Sequence, residues 1–299
     1  MHLFPEVSVD MSAATTDKVQ LPVLAEHGVG LSILRLDKIH PVISGNKWFK
    51  LVYHLQEAQE NKAEGLLTFG GAYSNHIIAV ACAAAGLGLK SVGIIRGERP
   101  PLLSHTLQEA MDYGMRLDFI SRASYKTASA TDSRGATAQA YPGYYAIPEG
   151  GNSPLGIEGS AEIPDLADKH VFSHILCAIG TATMFRGIAG SALPGQSVIG
   201  IPVLKGEGDF GVMRLPHSHI LTGYHFGGYA RKTAALVDFM NYFYGATGIP
   251  TDFVYTGKLM FALLDLVKKG YFAPGSQLLA IHSGGLQGNR SLPAGMLHF

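Results

Sequence analysis

Ser44-Gly45-Asn46-Lys47-Trp48-Phe49-Lys50 sets a lysine between a glycine turn and an aromatic pair, with no acid inside the seven residues. Beside Trp48 and Phe49 the Lys47 amine can be desolvated, which favours its neutral, nucleophilic form and suits it to Schiff-base chemistry. Taken alone, such a lysine is more simply a solvated residue in the first turn of an amphipathic helix that continues through Leu51, His54 and Leu55.

Four further glycine turns carry hydroxyl or amide groups: Gly70-Gly71-Ala72-Tyr73-Ser74-Asn75-His76, Gly150-Gly151-Asn152-Ser153-Pro154, Gly180-Thr181-Ala182-Thr183 and His282-Ser283-Gly284-Gly285. Such turns let backbone N–H groups close around an anion, and three of them are expected to lead into helices, whose N-termini favour negative charge. A reactive lysine together with several anion cradles points to a phosphorylated aldehyde as cofactor.

Strands and helices must alternate to place these turns. Buried strands are expected over residues 31–36, 65–69, 91–95, 117–120, 144–147, 174–179, 197–203 and 277–282. Helices are expected over residues 48–60, 77–89, 102–113, 155–168, 184–191, 232–244 and 258–269, with Ser74 or Asn75 as a cap. The alternation implies parallel pairing with right-handed crossovers, in two α/β sheets formed by the middle and by the later strands. Ligands in such folds sit beyond the C-terminal strand ends. Residues 121–141, rich in Ser, Thr, Ala and Gly, are left unassigned, and 205–228 reads as a long irregular stretch of the kind that is often functional.

The 299 residues, 47% hydrophobic and 15% charged, suffice for one large or two medium cores. A formal net charge of +0 argues against nucleic acid or a membrane surface as partner. Cys82 and Cys177 lie in apolar runs, as small buried residues do, and a reducing cytoplasm is the expected location; no secretory leader is read at the N-terminus. Residues 77–89, broken by Gly86 and Gly88, are too short an apolar run to span a bilayer. Gly206-Glu207-Gly208-Asp209-Phe210-Gly211 fits the dinucleotide pattern, but its two carboxylates would face the pyrophosphate and Pro216 interrupts any following helix. A P-loop and a nucleophile elbow are both missing from the sequence, and His217-Ser218-His219 lacks a third ligand nearby, so no metal is expected.

The five turns, in this order, resemble the pyridoxal-phosphate enzymes of fold type II, the tryptophan-synthase-β-like fold, and specifically the 1-aminocyclopropane-1-carboxylate deaminase and D-cysteine desulfhydrase family. Gly45-Asn46-Lys47 resembles the family's lysine motif, 70–76 its G-G-x-x-S-N-H turn, 147–156 its I-P-x-G-G-x-S-P-L-G segment, and Val254-Tyr255-Thr256-Gly257-Lys258 with 281–285 its C-terminal signature. Phe49 stands where the family usually has arginine, and the turn Thr181-Ala182-Thr183-Met184 is less glycine-rich than usual.

The resemblance implies two open parallel-sheet α/β domains: residues 1–50 with 148–299 as the large cofactor domain and 51–147 as the small substrate-side domain. It also implies that Lys47 holds the aldehyde, that Asn75 bonds the ring hydroxyl, and that Gly180, Thr181, Ala182, Thr183 and Met184 with Lys50 hold the phosphate. Ser74, Asn75 and His76 would bind the substrate, with Tyr229, Tyr255 and Ser283 around it; Lys47, Ser74, Tyr229 and Tyr255 would take part in catalysis. Thr256 would lie beside the pyridine nitrogen, where the cyclopropane deaminases carry glutamate, and Ser283 where they tend to carry leucine. The implied activity is β-elimination from a small amino acid in the manner of a D-cysteine desulfhydrase, releasing a 2-oxo acid and ammonia, with a homodimer as the expected assembly. The alternatives are deamination of the cyclopropane amino acid and a non-catalytic pyridoxal-phosphate-binding protein.

Overall fold

The computed structural model describes residues 4–129, 139–206, 215 and 217–299. Its strands are β1 (Thr16–Val19), β2 (Gly30–Arg35), β3 (Gly65–Gly70), β4 (Lys90–Arg96), β5 (Met115–Ile120), β6 (Tyr144–Ile147), β7 (His174–Ile179), β8 (Ser197–Pro202), β9 (Ser218–Ile220) and β10 (Gln277–His282). The α-helices are α1 (Pro22–Glu26), α2 (Asn46–Glu60), α3 (Asn75–Gly86), α4 (His105–Asp112), α5 (Arg122–Ala128), α6 (Pro154–Ala161), α7 (Thr183–Ser191), α8 (Ala234–Thr247) and α9 (Thr256–Lys268).

The chain divides into two compact units. The first comprises Met1–Met11, His40–Ile43 and Lys47–Gly159, and the second Ser12–Ile39, Ser44–Asn46 and Ser160–Phe299. Compared with the sequence-based division, Lys47 to Lys50 and residues 148–159 fall in the first unit, where Gly151 packs on Lys50 and Gly159 lies against the Phe49 carbonyl.

In the first unit a four-stranded sheet runs in the order β5-β4-β3-β6, parallel throughout. All six residues of β3 are buried, as the run Leu66-Leu67-Thr68-Phe69 requires of a strand covered on both faces. Leu67, Phe69, Val92, Ile94 and Tyr125 form a core cluster on this sheet. Within the stretch left unassigned, α5 forms because Ser121 accepts a hydrogen bond from the Ser124 N–H; residues 130–138 lie outside the described residues.

The second unit holds a six-stranded sheet in the order β1-β2-β10-β7-β8-β9. Its core joins Leu31 and Ile33 of β2, Leu176 and Ala178 of β7, Ile199 and Ile201 of β8, and Leu259, Leu263 and Leu266 of α9.

The expected strands pair in parallel; β1, a strand beyond those expected, runs antiparallel to β2, since the link from Val19 to Gly30 is shorter than the dozen or so residues that a parallel crossover needs. Two sequence expectations are corrected. The 155–168 helix stops at Ala161 and continues as a 3₁₀ turn at Ile163–Leu166, because Pro164 has no N–H to give and its ring clashes with the preceding turn. The stretch expected to be irregular contains β9, paired parallel with β8; residues 207–211 of the decoy glycine pattern lie outside the described residues.

Register brings Arg35 of β2 opposite His282 of β10 at the C-terminal edge of this sheet. Between them sits Asp37, bonded by Arg35 Nε and Nη2 at 2.8 and 2.7 Å and lying 3.1 Å from His282 Nδ1. Arg35 also reaches Asp17 at 3.1 Å, and His282 Nε2 is 2.8 Å from the Pro250 carbonyl. Burial by itself would raise the Asp37 carboxyl, but the Arg35 hydrogen bonds and the His282 ring bring it below its ordinary range.

Because the folded carboxyl is depressed, its contribution to stability is fully present above the unfolded value of 3.8 and is lost as pH falls through the folded value. Asp37→Asn is therefore expected to destabilise the protein by about 3 kcal/mol at pH 7, the cost of breaking a buried ion pair. Urea denaturation across pH should show this difference shrinking below about pH 4.

Candidate active site

Lys47 is delivered by two backbones that pass with no side chain between them. Gly45 has φ +65°, and a Cβ on it would lie 1.9 Å from the Ser283 carbonyl oxygen; one on Gly284, at φ +74°, would lie 2.5 Å from Ser44 Oγ. The Asn46 N–H donates to the Ser283 carbonyl at 3.2 Å and the Gly45 N–H to the Leu36 carbonyl at 2.9 Å. Ser283, expected to line the substrate site, is buried and acts here through its backbone. From this crossing α2 begins, and helical spacing puts Lys47, Lys50 and His54 on one face. Lys47 is half-buried and Lys50 buried; Phe49, in the place of the family's arginine, is enclosed in the core.

Within the first unit, α2 shares its surroundings with the turn after β3. Gly70 leaves room for Ser74, whose Oγ would be 2.8 Å from a Cβ there. Ser74 caps α3, its oxygen accepting from the His76 and Ile77 N–H groups at 3.3 Å each. Both bonds use lone pairs, so the Ser74 hydroxyl still has its proton to donate. Asn75 opens α3 and is half-buried.

The His76 ring is buried, and neither of its nitrogens makes a hydrogen bond of good geometry among the described residues. Burial first, then the charges of Lys47, Lys50 and His54, hold it well below the ordinary histidine range, with the Pro148 carbonyl opposing them. Two lysines thus share their surroundings with a neutral imidazole. His54 itself is bonded to Ser153 Oγ at 2.7 Å and to the Tyr145 hydroxyl at 2.9 Å.

In the second unit, Gly180-Thr181-Ala182 links β7 to α7. Ala182 adopts φ +60° as the residue before the helix, and the Thr181 and Thr183 hydroxyls are 2.9 Å apart. Ala182, Thr183 and Met184 have buried side chains, so this turn can meet a ligand mainly through its backbone and the exposed Thr181. A Cβ on Gly180 would lie 3.1 Å from the Tyr255 ring, which stands edge-on to Tyr229 with centroids 6.1 Å apart. Gly180, Tyr255 and Tyr229 are thereby brought together.

Thr256 is different. It is fully enclosed, its hydroxyl donating to Asp252 Oδ1 and accepting from the Asp252 N–H, both at 2.7 Å. Its single proton is therefore held by Asp252, and only a lone pair is left to offer a neighbour. Asp252 also accepts from the Val254, Tyr255 and Thr256 N–H groups and so caps α9. Lys258 is buried too, its Nζ donating to the His225 and Gly228 carbonyls at 2.9 and 2.8 Å; burial brings its amine down to about 8, with Asp252 opposing. Sequence analysis passed over Asp252 and gave Lys258 only as part of the C-terminal signature and as the first residue of an expected helix.

A family profile described as pyridoxal-phosphate-dependent enzyme matches residues 9–219, more than half of the 299-residue chain. This chain belongs to that family. Among curated relatives, a Pyrococcus furiosus protein named for 1-aminocyclopropane-1-carboxylate deaminase is 30% identical over 291 residues, covering 87% of this chain and 86% of its own length. The D-cysteine desulfhydrase of Salmonella newport is 27% identical over 318 residues, covering 95% of each. A solved ACC deaminase homologue superposes with a TM-score of 0.79 at 23% identity, over 96% of this chain and 95% of that one. A Helicobacter pylori O-acetylserine-dependent cystathionine β-synthase superposes with a TM-score of 0.67 at 14% identity, over 95% and 97% of the two chains. The fold is the two-sheet α/β fold of these pyridoxal-phosphate enzymes.

The residues present fit the family's cofactor. The first unit offers a half-buried lysine near a buried imidazole held neutral, and the second offers a glycine cradle at a helix N-terminus closed by an aromatic ring. Gly45→Ala should break the first of these, since both its positive φ and the Ser283 carbonyl exclude a side chain. We expect a folded protein by circular dichroism that retains pyridoxal phosphate at least tenfold more weakly, about 1.4 kcal/mol or more, in an absorbance titration.

Proposed function

We propose that the chain is a lyase acting on a small amino acid, releasing ammonia and a 2-oxo acid by β-elimination as a D-cysteine desulfhydrase does. Pyridoxal phosphate, when bound, supplies an aldehyde for condensation with amines and a conjugated ring that delocalises negative charge at the substrate's Cα. Lys47 would hold the aldehyde, Asn75 the ring hydroxyl, and the Gly180 to Met184 turn with Lys50 the phosphate. The Lys47 Nζ, when its amine is free, would accept the Cα proton; the electron pair of that bond would form Cα=Cβ as the β-substituent departs with its own pair, and water would hydrolyse the imine tautomer of the released enamine to the 2-oxo acid and ammonia. The Ser74 hydroxyl, with its proton free to donate at the N-terminus of α3, suits the substrate carboxylate. Tyr229 and Tyr255 would line the substrate side.

The observation that carries this reading over ring-opening is Thr256. A carboxylate beside the pyridine nitrogen keeps it protonated and deepens the electron sink, and position 256 carries a neutral hydroxyl already tied to Asp252. Expulsion of a thiolate needs the deep sink less than opening a cyclopropane does. The Pyrococcus furiosus relative supports the deaminase alternative by its name. A dimer, a cytoplasmic location and the absence of nucleic-acid or membrane partners remain part of this proposal.

Assayed side by side, D-cysteine should yield pyruvate and sulfide faster than 1-aminocyclopropane-1-carboxylate yields 2-oxobutyrate; the reverse order would overturn the assignment, and no 2-oxo acid from either would favour a cofactor carrier. Borohydride should fix the cofactor on Lys47 when the adduct is mapped by peptide mass spectrometry. Attachment at Lys258 is not expected, because that amine is enclosed and bonded to two carbonyls. Ser74→Ala should keep the bound-cofactor absorbance while kcat/KM falls about ten- to a hundredfold, the loss of one hydrogen bond to a charged group.

A further inference from the structure

We propose that Lys258 is the positioning residue for Tyr229, its enclosed ammonium gathering two carbonyls of the 225–231 loop and so setting where the Tyr229 ring stands. The inference rests on the reading above in one respect, that Tyr229 lines the substrate side. The loop is improbable on local grounds: Phe226 and Ala230 have φ +51°, and Gly227 and Gly228 have φ +93° and +120°, so four of five consecutive residues are left-handed around Tyr229. Such backbone persists only where its surroundings over-determine it.

Those surroundings come from α9. Lys258 Nζ bonds the His225 carbonyl at 2.9 Å and the Gly228 carbonyl at 2.8 Å, two residues that bracket the turn. One helical turn further on, Phe261 meets Phe226 edge-on with ring centroids 4.8 Å apart, an apolar anchor beside the polar one. The loop closes on itself through Gly228 N–H to His225 carbonyl, Gly227 N–H to His225 Nδ1, and Arg231 N–H to Gly228 carbonyl. Both carbonyls that Lys258 takes are therefore also acceptors within the loop. Tyr229, itself 42% exposed, has the Tyr255 ring edge-on beside it, while the fixed points on either side of it in sequence are backbone.

A lysine used only to satisfy a helix end would sit at the C-terminus of a helix, where the dipole favours it; Lys258 is in the first turn of α9, where the dipole opposes a cation. The two loop carbonyls and the Asp252 carboxylate supply the compensation.

The test is Lys258→Met, which keeps the length of the side chain and removes its donors. Hydrogen exchange at the Gly227, Gly228 and Arg231 amides should accelerate at least about tenfold relative to the β7 and β8 amides, which should hold their protection. With D-cysteine as substrate, KM should rise about fivefold or more, because Tyr229, on the substrate side, is displaced. Unchanged exchange, or a fall in kcat alone, overturns the proposal. If the variant does not fold, exchange in the unmodified protein decides: these three amides must be protected, and exchange at the rate of an unstructured peptide overturns it. If the unmodified protein turns over no amino acid, the proposed function fails, and the exchange comparison still judges the role of Lys258.

Discussion

The close passage of Gly45 over the Ser283 carbonyl is the constraint on which the candidate site depends. Nothing larger than hydrogen fits there, and the contact fixes where α2 begins and hence where Lys47 stands. The same crossing ties two segments distant in sequence, the residues after β2 and those after its sheet neighbour β10. Arg35, Asp37 and His282 then lock that edge with buried charge. The start of the helix that carries Lys47 is thus built on backbone contacts beside an ion network.

Charge follows a consistent pattern around the lysines. In the first unit Lys47 and Lys50 share their neighbourhood with His54 and with a His76 kept neutral by burial. An acid there would hold the amine protonated and quench its nucleophilicity. Two buried acids of the second unit have partners of their own: Asp37 with Arg35, and Asp252 with backbone N–H groups and Thr256. These two buried carboxylates serve to hold a sheet edge and a helix start.

The buried polar residues of α9 show how one helix start can carry several tasks. Tyr255 covers Gly180, Thr256 closes the cap with Asp252, and Lys258 gathers the loop before it. The three are near neighbours in sequence, yet each faces a different segment because successive positions of a helix turn by about 100°. A substitution at any of them therefore disturbs a different part of the molecule.

The sequence by itself determined the alternation of strands and helices, the five glycine turns and the acid-free lysine segment, because each of these is a local pattern: apolar runs of strand length, turn residues, and a cap at Ser74. It also carried the family, since the motifs are contiguous. It did not reveal that β1 pairs antiparallel, because pairing direction depends on the length of a connection and on the partner it finds. Nor did it show that the Thr256 hydroxyl turns inward to Asp252, that the His76 ring is enclosed, or that Lys258 holds carbonyls some thirty residues earlier in the chain. Those are decided by which side chains the packed elements bring within hydrogen-bond distance, and burial then sets the charge that each can bear.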